Sequence, residues 1–457
     1  MKQIVNRITC WYMVFYAVYS ISTRFVPTAL LFEGAAAGIL YKSVVIGAGI
    51  LALCYLLLAR RIRLNKSDLL LAAFVLVLGV STIANREYEF TENILGTGTF
   101  TAQLIVFYLI ARMMPEAMIA ACLRRIALFT SLFWTPGCFL SLYQYIINEH
   151  YVTRNPENRL IRQGIIDGRL FGLFSDPNFA AFTSLLIVLL LLFALRTVKR
   201  NCFSMKLFSV YGVVCIVVNL AYLVMSNSRT IYIAAVGTML FFVLLTTCRR
   251  HLTEDGVNRK QMLSDFLKRA AATLAATAAV YAVLFFPIQG IGHLVVPDRG
   301  IDDMVREDVN LENISNNRST IWKNYLTLYQ DKPVFGFSIW SALPYAADRY
   351  PDSYLAKTRY VTHNGYLSLL VETGCAGFLV MGAFFTMTAI TFFRRIQKKE
   401  AVGDCFLFFA VLTAAVLIFL LCFHDVFFTV NIETMLLFTA IGYIGNSLPT
   451  GNRPSPQ

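Results

Sequence analysis

Residues 177–225 read PNFAAFTSLLIVLLLLFALRTVKRNCFSMKLFSVYGVVCIVVNLAYLVM, which is an apolar run, a short basic cluster and a second apolar run. Each run has about the 20 residues that a helix needs to cross the hydrocarbon core of a bilayer. The cluster between them, RTVKRNCFSMK, is a short Lys- and Arg-rich connection of the kind that stays in the cytoplasm. The stretch therefore reads as two spanning helices joined on the cytoplasmic side, and the pattern recurs along the chain.

Apolar runs fall near residues 8–24, 43–59, 67–84, 98–111, 126–147, 177–195, 207–225, 230–247, 270–287, 366–393, 405–423 and 431–446, which predicts twelve helices. With the N-terminus inside, the cytoplasmic connections are RRIRLNK, Arg112 with Arg124 and Arg125, RTVKRNCFSMK, the stretch 248–269 and RRIQKK. All are basic, whereas opposite connections such as NREYEFTEN and HDVFFTV are mixed. An even helix count with both termini cytoplasmic satisfies every cluster. The start MKQIVNRITCWYMVFYAVYS is basic, then apolar, without a small-residue cleavage site, and reads as the first spanning helix.

Composition agrees with an all-α integral membrane protein. Hydrophobic residues make up 57% of the 457, mean hydropathy is +0.61 and charged residues are only 15%, against about 25% in soluble domains. The formal charge of +13 lies in clusters between apolar runs, which marks topology rather than a nucleic-acid-binding face. Ten cysteines occur, none between Ile288 and Thr362, with no CxxC pair and no disulfide framework. They read as small apolar residues.

The chain is read as one polytopic domain, 1–457, with two outer segments too long to be turns, 148–176 and 288–365. The second carries RSTIWKNYLTLYQD, where Ile321, Tyr325 and Leu328 recur at helical spacing. A connection that long in a compact protein is usually functional. No internal repeat is visible.

Three polar groups fall at the outer ends of predicted helices. In GRLFGLFSDPNFAAF, Ser175 or Asp176 before Pro177 signals a helix start, with Arg169 ahead and Asn178 in the first turn. In SNSRTIYIAA, Arg229 follows the turn Asn227–Ser228 at or near membrane depth, where a guanidinium costs ~2.5–3.5 kcal/mol at a helix centre unless it faces a cavity or an anion. The third group is NNRSTIW, PVFGFS and THNGYLSLLVETG, with Arg318, Trp322, His363, Asn364 and Glu372, and with Thr362 as the expected cap. Singly, these also read as a helix cap, a snorkelling arginine and an interfacial histidine.

Together they supply a reaction. Arginines bind phosphate oxygens as planar, permanently charged forks. A histidine with an ordinary pKa near 6.5 can take the proton of an attacking sugar hydroxyl. A diphosphate held by arginines is a good leaving group. The sum is an inverting glycosyl transfer on the outer face, with no nucleotide sugar and no cofactor. His150, His293 and His424 (beside Asp425) compete for the base role, and His251 is cytoplasmic. A metal site from His293, Asp298, Asp302 and Asp303 matches no ligand spacing, so no metal is expected.

With these motifs in this order, spanning about residues 165–380, the chain resembles the O-antigen ligase and polymerase superfamily of bacterial membrane glycosyltransferases. The resemblance implies a twelve-helix fold in the inner (cytoplasmic) membrane, an undecaprenyl-diphosphate-linked oligosaccharide as donor and no metal. It assigns Arg229 and Arg318, with Arg169 nearby, to the diphosphate and His363 to activating the acceptor. Asn178, Trp322, Asn364 and Glu372 are supporting residues, with Gly374 completing Glu-x-Gly. Thr230 stands where the family commonly has glycine. Polymerisation onto another lipid-linked repeat unit is the preferred expectation, because Trp322, Tyr325, Tyr329, Trp340, Tyr345 and Tyr350 could stack on a repeating glycan. A ligase would instead accept on a lipid A core. Envelope polysaccharide assembly proteins are possible partners. A transporter or flippase would need ionisable residues inside helices, whereas Glu33, Glu372 and Glu433 lie outside them or near their ends.

Overall fold

The computed structural model describes residues 2–31, 35–58, 64–154, 160–198, 203–253, 259–297, 317–397, 403–421 and 427–445. The first half runs α1 (Lys2–Ser22), α2 (Val26–Leu31), α3 (Ala35–Leu58), α4 (Lys66–Ala84), α5 (Phe90–Gln103, continuing as a π-helix over Leu104–Ile110) and α6 (Glu116–Ile146). Three strands follow, β1 (Tyr151–Arg154), β2 (Leu160–Ile166) and β3 (Arg169–Gly172), then α7 (Pro177–Thr197), α8 (Phe203–Met225), α9 (Arg229–Thr253) and α10 (Arg259–Val295). Three short helices, α11 (Arg318–Tyr329), α12 (Ala342–Arg349) and α13 (Tyr354–Thr358), precede α14 (Gly365–Gln397), α15 (Asp404–Leu420) and α16 (Ile432–Ile444).

Each predicted apolar run overlaps a helix among the described residues. Among the described residues, nine helices are long and apolar enough to cross a membrane, and α15 and α16 are apolar but shorter. The chain is thus a multi-pass, mainly helical membrane protein. Two features depart from expectation. The segment 148–176 folds as a three-stranded antiparallel sheet in the order β1-β2-β3, because Ile165 and Leu170 find buried positions against the bundle. And α5 begins at Phe90, eight residues before the apolar run, because polar Asn93 is fully buried by contacts described below.

The helix ends sort into two faces whose contacts do not mix. On one, Arg24 after α1 grips Glu433 in the first turn of α16 with two bonds, Nη1–Oε1 at 2.6 Å and Nη2–Oε2 at 2.7 Å, and donates to Thr183 Oγ1 in α7 at 2.8 Å. Ser175 N donates to Arg24 O at 3.0 Å, tying in the start of α7. On the other face, Arg112 pairs with Asp68 at 2.7 Å, Arg196 with Asp404 at 2.7 Å, and Arg395 donates to the carbonyls of Tyr443 and Ile444. Between the faces, aromatic rings interlock, as in the Phe182–Phe419 stack at 3.8 Å and Trp134 on Phe174 at 4.3 Å. Such close packing is what holds helices together where lipid is as apolar as leucine.

The helix α14 is broken at Gly374 (φ 66°, ψ −174°). There the segment 333–338 crosses it backbone to backbone. Phe337 N and Ser338 N donate to Val371 O (2.9 Å) and Glu372 O (2.8 Å), while Cys375 N and Ala376 N donate to Pro333 O (2.8 Å) and Val334 O (3.1 Å). The loop thereby satisfies the groups the break exposes, which a membrane does not leave bare. The crossing requires two glycines: a Cβ on Gly336 would stand 2.4 Å from Val371 O, and one on Gly374 would stand 2.2 Å from Val334 O. The α4–α5 hairpin secures the same loop. Asn85 Nδ2 donates to Gly336 O, Lys332 Nζ donates to Asn85 Oδ1 at 2.6 Å, and Asn93 accepts from Trp340 N and donates to Ser341 Oγ, each at 2.8 Å.

Candidate functional site

The N-terminus of α7 is the meeting point of the first two polar groups. Asp176 caps the helix, its Oδ1 accepting from Asn178 N (2.7 Å) and Phe179 N (3.0 Å), with Pro177 at the first position as the sequence predicts. Asn178 Oδ1 then accepts from Arg169 Nη2 on β3 at 2.7 Å and from Ser228 Oγ on the α8–α9 turn at 2.7 Å. Asn227 Nδ2 closes the same contact by donating to Gly168 O at 2.9 Å. Arg229, the residue after Ser228, opens α9 and is half-buried.

The third group arrives from the other side. Helix α11 buries Ile321, Tyr325 and Leu328, the spacing read from the sequence, and carries Arg318 as its first residue. Trp322 Nε1 donates to Thr362 O at 2.9 Å and Tyr325 OH to Tyr360 O at 3.0 Å. These bonds pin α11 to the strand-like run that ends in His363. His363 itself has φ +49°, a conformation uncommon outside glycine and costing energy elsewhere in a chain. Asn364, not Thr362, caps α14: its Oδ1 accepts from Tyr366 N and Leu367 N at 3.0 Å each. Thr362 instead turns its hydroxyl to Ser368 Oγ and Asn364 O. An asparagine acceptor one residue before the helix is the stronger cap, which frees His363 to stand outside the helix.

The charges bearing on the half-buried His363 are Arg318 and Asp176. Burial first, and the Arg318 guanidinium second, push its imidazole below the ordinary histidine value of 6.5, while Asp176 pulls the other way. At neutral pH the ring is therefore neutral, with one nitrogen able to accept a proton. Residues of β3–α7, the α8–α9 turn and the α11–α14 segment thus share one face and one electrostatic neighbourhood. Glu372 lies in the third turn of α14 and lines a cavity with Thr362, and its carbonyl belongs to the loop crossing.

Sequence reasoning read Asp176 only as a cap and Ser228 only as part of a turn, and passed over Asn85, Asn93 and Lys332. SDPN and the two asparagines of NREYEFTEN were the available signals, but their partners are remote in sequence. Of the competing histidines, His150 is exposed before β1, His293 is half-buried in α10, and His251 pairs with Asp265 on the opposite face at 3.0 Å. His424, Asp425, Asp298, Asp302 and Asp303 lie outside the described residues, as does Glu33. No group of three His, Cys, Asp or Glu among the described residues is placed to hold a metal ion.

Residues 214–382 match the family model described as O-antigen ligase, so this segment is similar to that domain and supports the resemblance to the O-antigen ligase and polymerase superfamily. Its class of activity is accordingly of the ligase or polymerase type. No curated protein matches the chain. The matched segment contains Arg229, Arg318, Trp322, His363, Asn364 and Glu372, and leaves Arg169 and Asn178 outside it.

Proposed function

We propose that the protein is an extracytoplasmic polysaccharide polymerase of the bacterial inner membrane. It transfers a glycan from an undecaprenyl-diphosphate-linked donor to a sugar hydroxyl of a second lipid-linked repeat unit. The observation that carries this is the setting of His363, held outside the helix by the Asn364 cap and kept neutral by burial and Arg318. His363 accepts the hydroxyl proton as that oxygen attacks the anomeric carbon from the face opposite the diphosphate, and the configuration inverts. Arg229 and Arg318 hold the departing diphosphate, with Arg169 beside them and oriented by Asn178. The motif face is the outer one, because the opposite face carries the basic connections.

The test is conversion of purified lipid-linked repeat units to longer chains, without nucleotide. His363→Ala and Arg229→Ala should each lower the rate by at least about 10²-fold while the protein still purifies as a monodisperse species. Retained activity in either removes the assigned role. Sidedness is tested separately with a membrane-impermeant thiol reagent on a variant lacking native cysteines. Asp352→Cys should label in intact cells, and Lys260→Cys only after permeabilisation.

Ligation onto a lipid A core is the second reading, favoured by the description of the matching family. Product from a lipid A-core acceptor, and none from a second repeat unit, would decide for it.

A further inference from the structure

His363 keeps a left-handed backbone (φ +49°), a conformation that residues other than glycine hold only where their surroundings over-determine it. On its C-terminal side the Asn364 cap fixes the chain onto α14. On its N-terminal side two side chains of α11 do the fixing. Trp322 Nε1 donates to Thr362 O at 2.9 Å, and Tyr325 OH donates to Tyr360 O at 3.0 Å. The bonded carbonyls belong to the residue just before His363 and to the one two places earlier.

Both bonds are chemically durable. An indole N–H is a donor only and keeps its hydrogen at any working pH. Burial pushes the Tyr325 hydroxyl above the ordinary tyrosine value, so it too remains a donor. Removing either donor leaves a carbonyl short of its partner beside a strained residue.

Where the donors sit on α11 matters as much. Trp322 follows Arg318 by four residues and Tyr325 follows Trp322 by three, spacings that set side chains along one face of a helix. Arg318 opens α11, and its guanidinium and the Asp176 carboxylate on α7 are the charges that act on His363. One helix therefore carries a ligand for the diphosphate and both donors that hold the run leading to the base. Docking of α11 has its own apolar basis, since Ile321, Leu328 and the Tyr325 ring are buried with Phe337, Leu355 and Val371. What the two hydrogen bonds add is the placement of residues 360–362.

We infer that Trp322 and Tyr325 are positioning residues, which hold the His363 imidazole in register with Arg318 by gripping the backbone just ahead of it. The inference rests on the transferase reading above and extends it to the residues that orient its base. Each acts through the orientation of that base rather than on the sugar.

The experiment uses purified full-length protein in the chain-lengthening assay. Tyr325→Phe removes only the hydroxyl, and Trp322→Phe removes the indole N–H while keeping an aromatic ring. Each should lower kcat about tenfold or more, the usual penalty for a displaced catalytic group, and leave KM for the donor unchanged. Together they should move the acid limb of kcat/KM up towards pH 6.5, because a loosened imidazole gains water and escapes the Arg318 charge. Leu328→Ala is the packing control. It should lower the thermal midpoint at least as far as Tyr325→Phe does, with kcat nearly unchanged. In a His363→Ala background neither aromatic substitution should lower the residual rate further, since the residue they position is gone. Wild-type kcat and an unmoved acid limb in both aromatic variants overturn the inference. So does an equal loss of kcat in Leu328→Ala, or the same fractional loss with and without His363. Full activity in His363→Ala, or no product from the wild type, overturns the transferase reading and the inference with it.

Discussion

His363 feels charges of opposite sign, and the two residues that carry them make opposite predictions. Burial and Arg318 lower its pKa and Asp176 raises it, so the acid limb of kcat/KM should lie below pH 6.5, with activity lost as the falling pH protonates the base. Arg318→Gln removes a repelling positive charge, so the limb should move up. Activity should also fall about ten- to hundredfold from the lost charged hydrogen bonds to diphosphate. Asp176→Asn removes the attracting charge, so the limb should move down. Asparagine caps a helix as well as aspartate does, so α7 should remain intact. A pH–rate profile of the three proteins checks both signs. The sequence disclosed His363 and Arg318 because their residue types are rare beside apolar runs. It did not disclose Asp176 as their partner, because its local role as a cap explained it fully and the charge acts between elements far apart along the chain.

Among elements, the apolar runs made the spanning helices legible, since a 20-residue apolar stretch has few other fates. What escaped was set by contacts across the fold. The small sheet of 148–176 has short strands with little alternation. The polar first turns of α5 are helical because Asn93 is buried against Trp340 and Ser341. The motifs PVFGFS and VETG read as separate items, yet they are the two halves of one crossing. Gly374→Ala forces a Cβ to within 2.2 Å of Val334 O at a φ of +66°. It should cost at least about 2–3 kcal/mol, seen as a lower thermal midpoint in detergent and faster proteolysis within 317–365.

At the scale of the molecule, the Arg24–Glu433 pair joins the end of α1 to the start of α16, with side-chain exposures of 10% and 0%. Arg24 also lies over the Phe179 ring at 4.3 Å, so one guanidinium gathers α1, α7 and α16 close to the Asp176 cap. Removing one member leaves a buried charge unpaired. Arg24→Met or Glu433→Met alone should therefore destabilise by about 3–5 kcal/mol, whereas the double variant should recover most of that loss. Thermal unfolding of the four proteins in one detergent measures the coupling. The sequence placed Glu433 near a helix end but did not single out Arg24 as its partner, since helix order around a bundle is not written in hydropathy.

The crossing at Gly374 also bears on how such proteins can be recombined. Because the polar cap donates its own amides to mend a transmembrane helix, it cannot be cut out at its apparent ends and grafted onto a related protein. A transplant that stops at residue 365, short of Gly374, would bring a patch without the tear it was shaped to fit. A chimera designed to swap acceptor choice should carry residues 317–382 as one cassette, together with the Asn85–Asn93 hairpin that receives it.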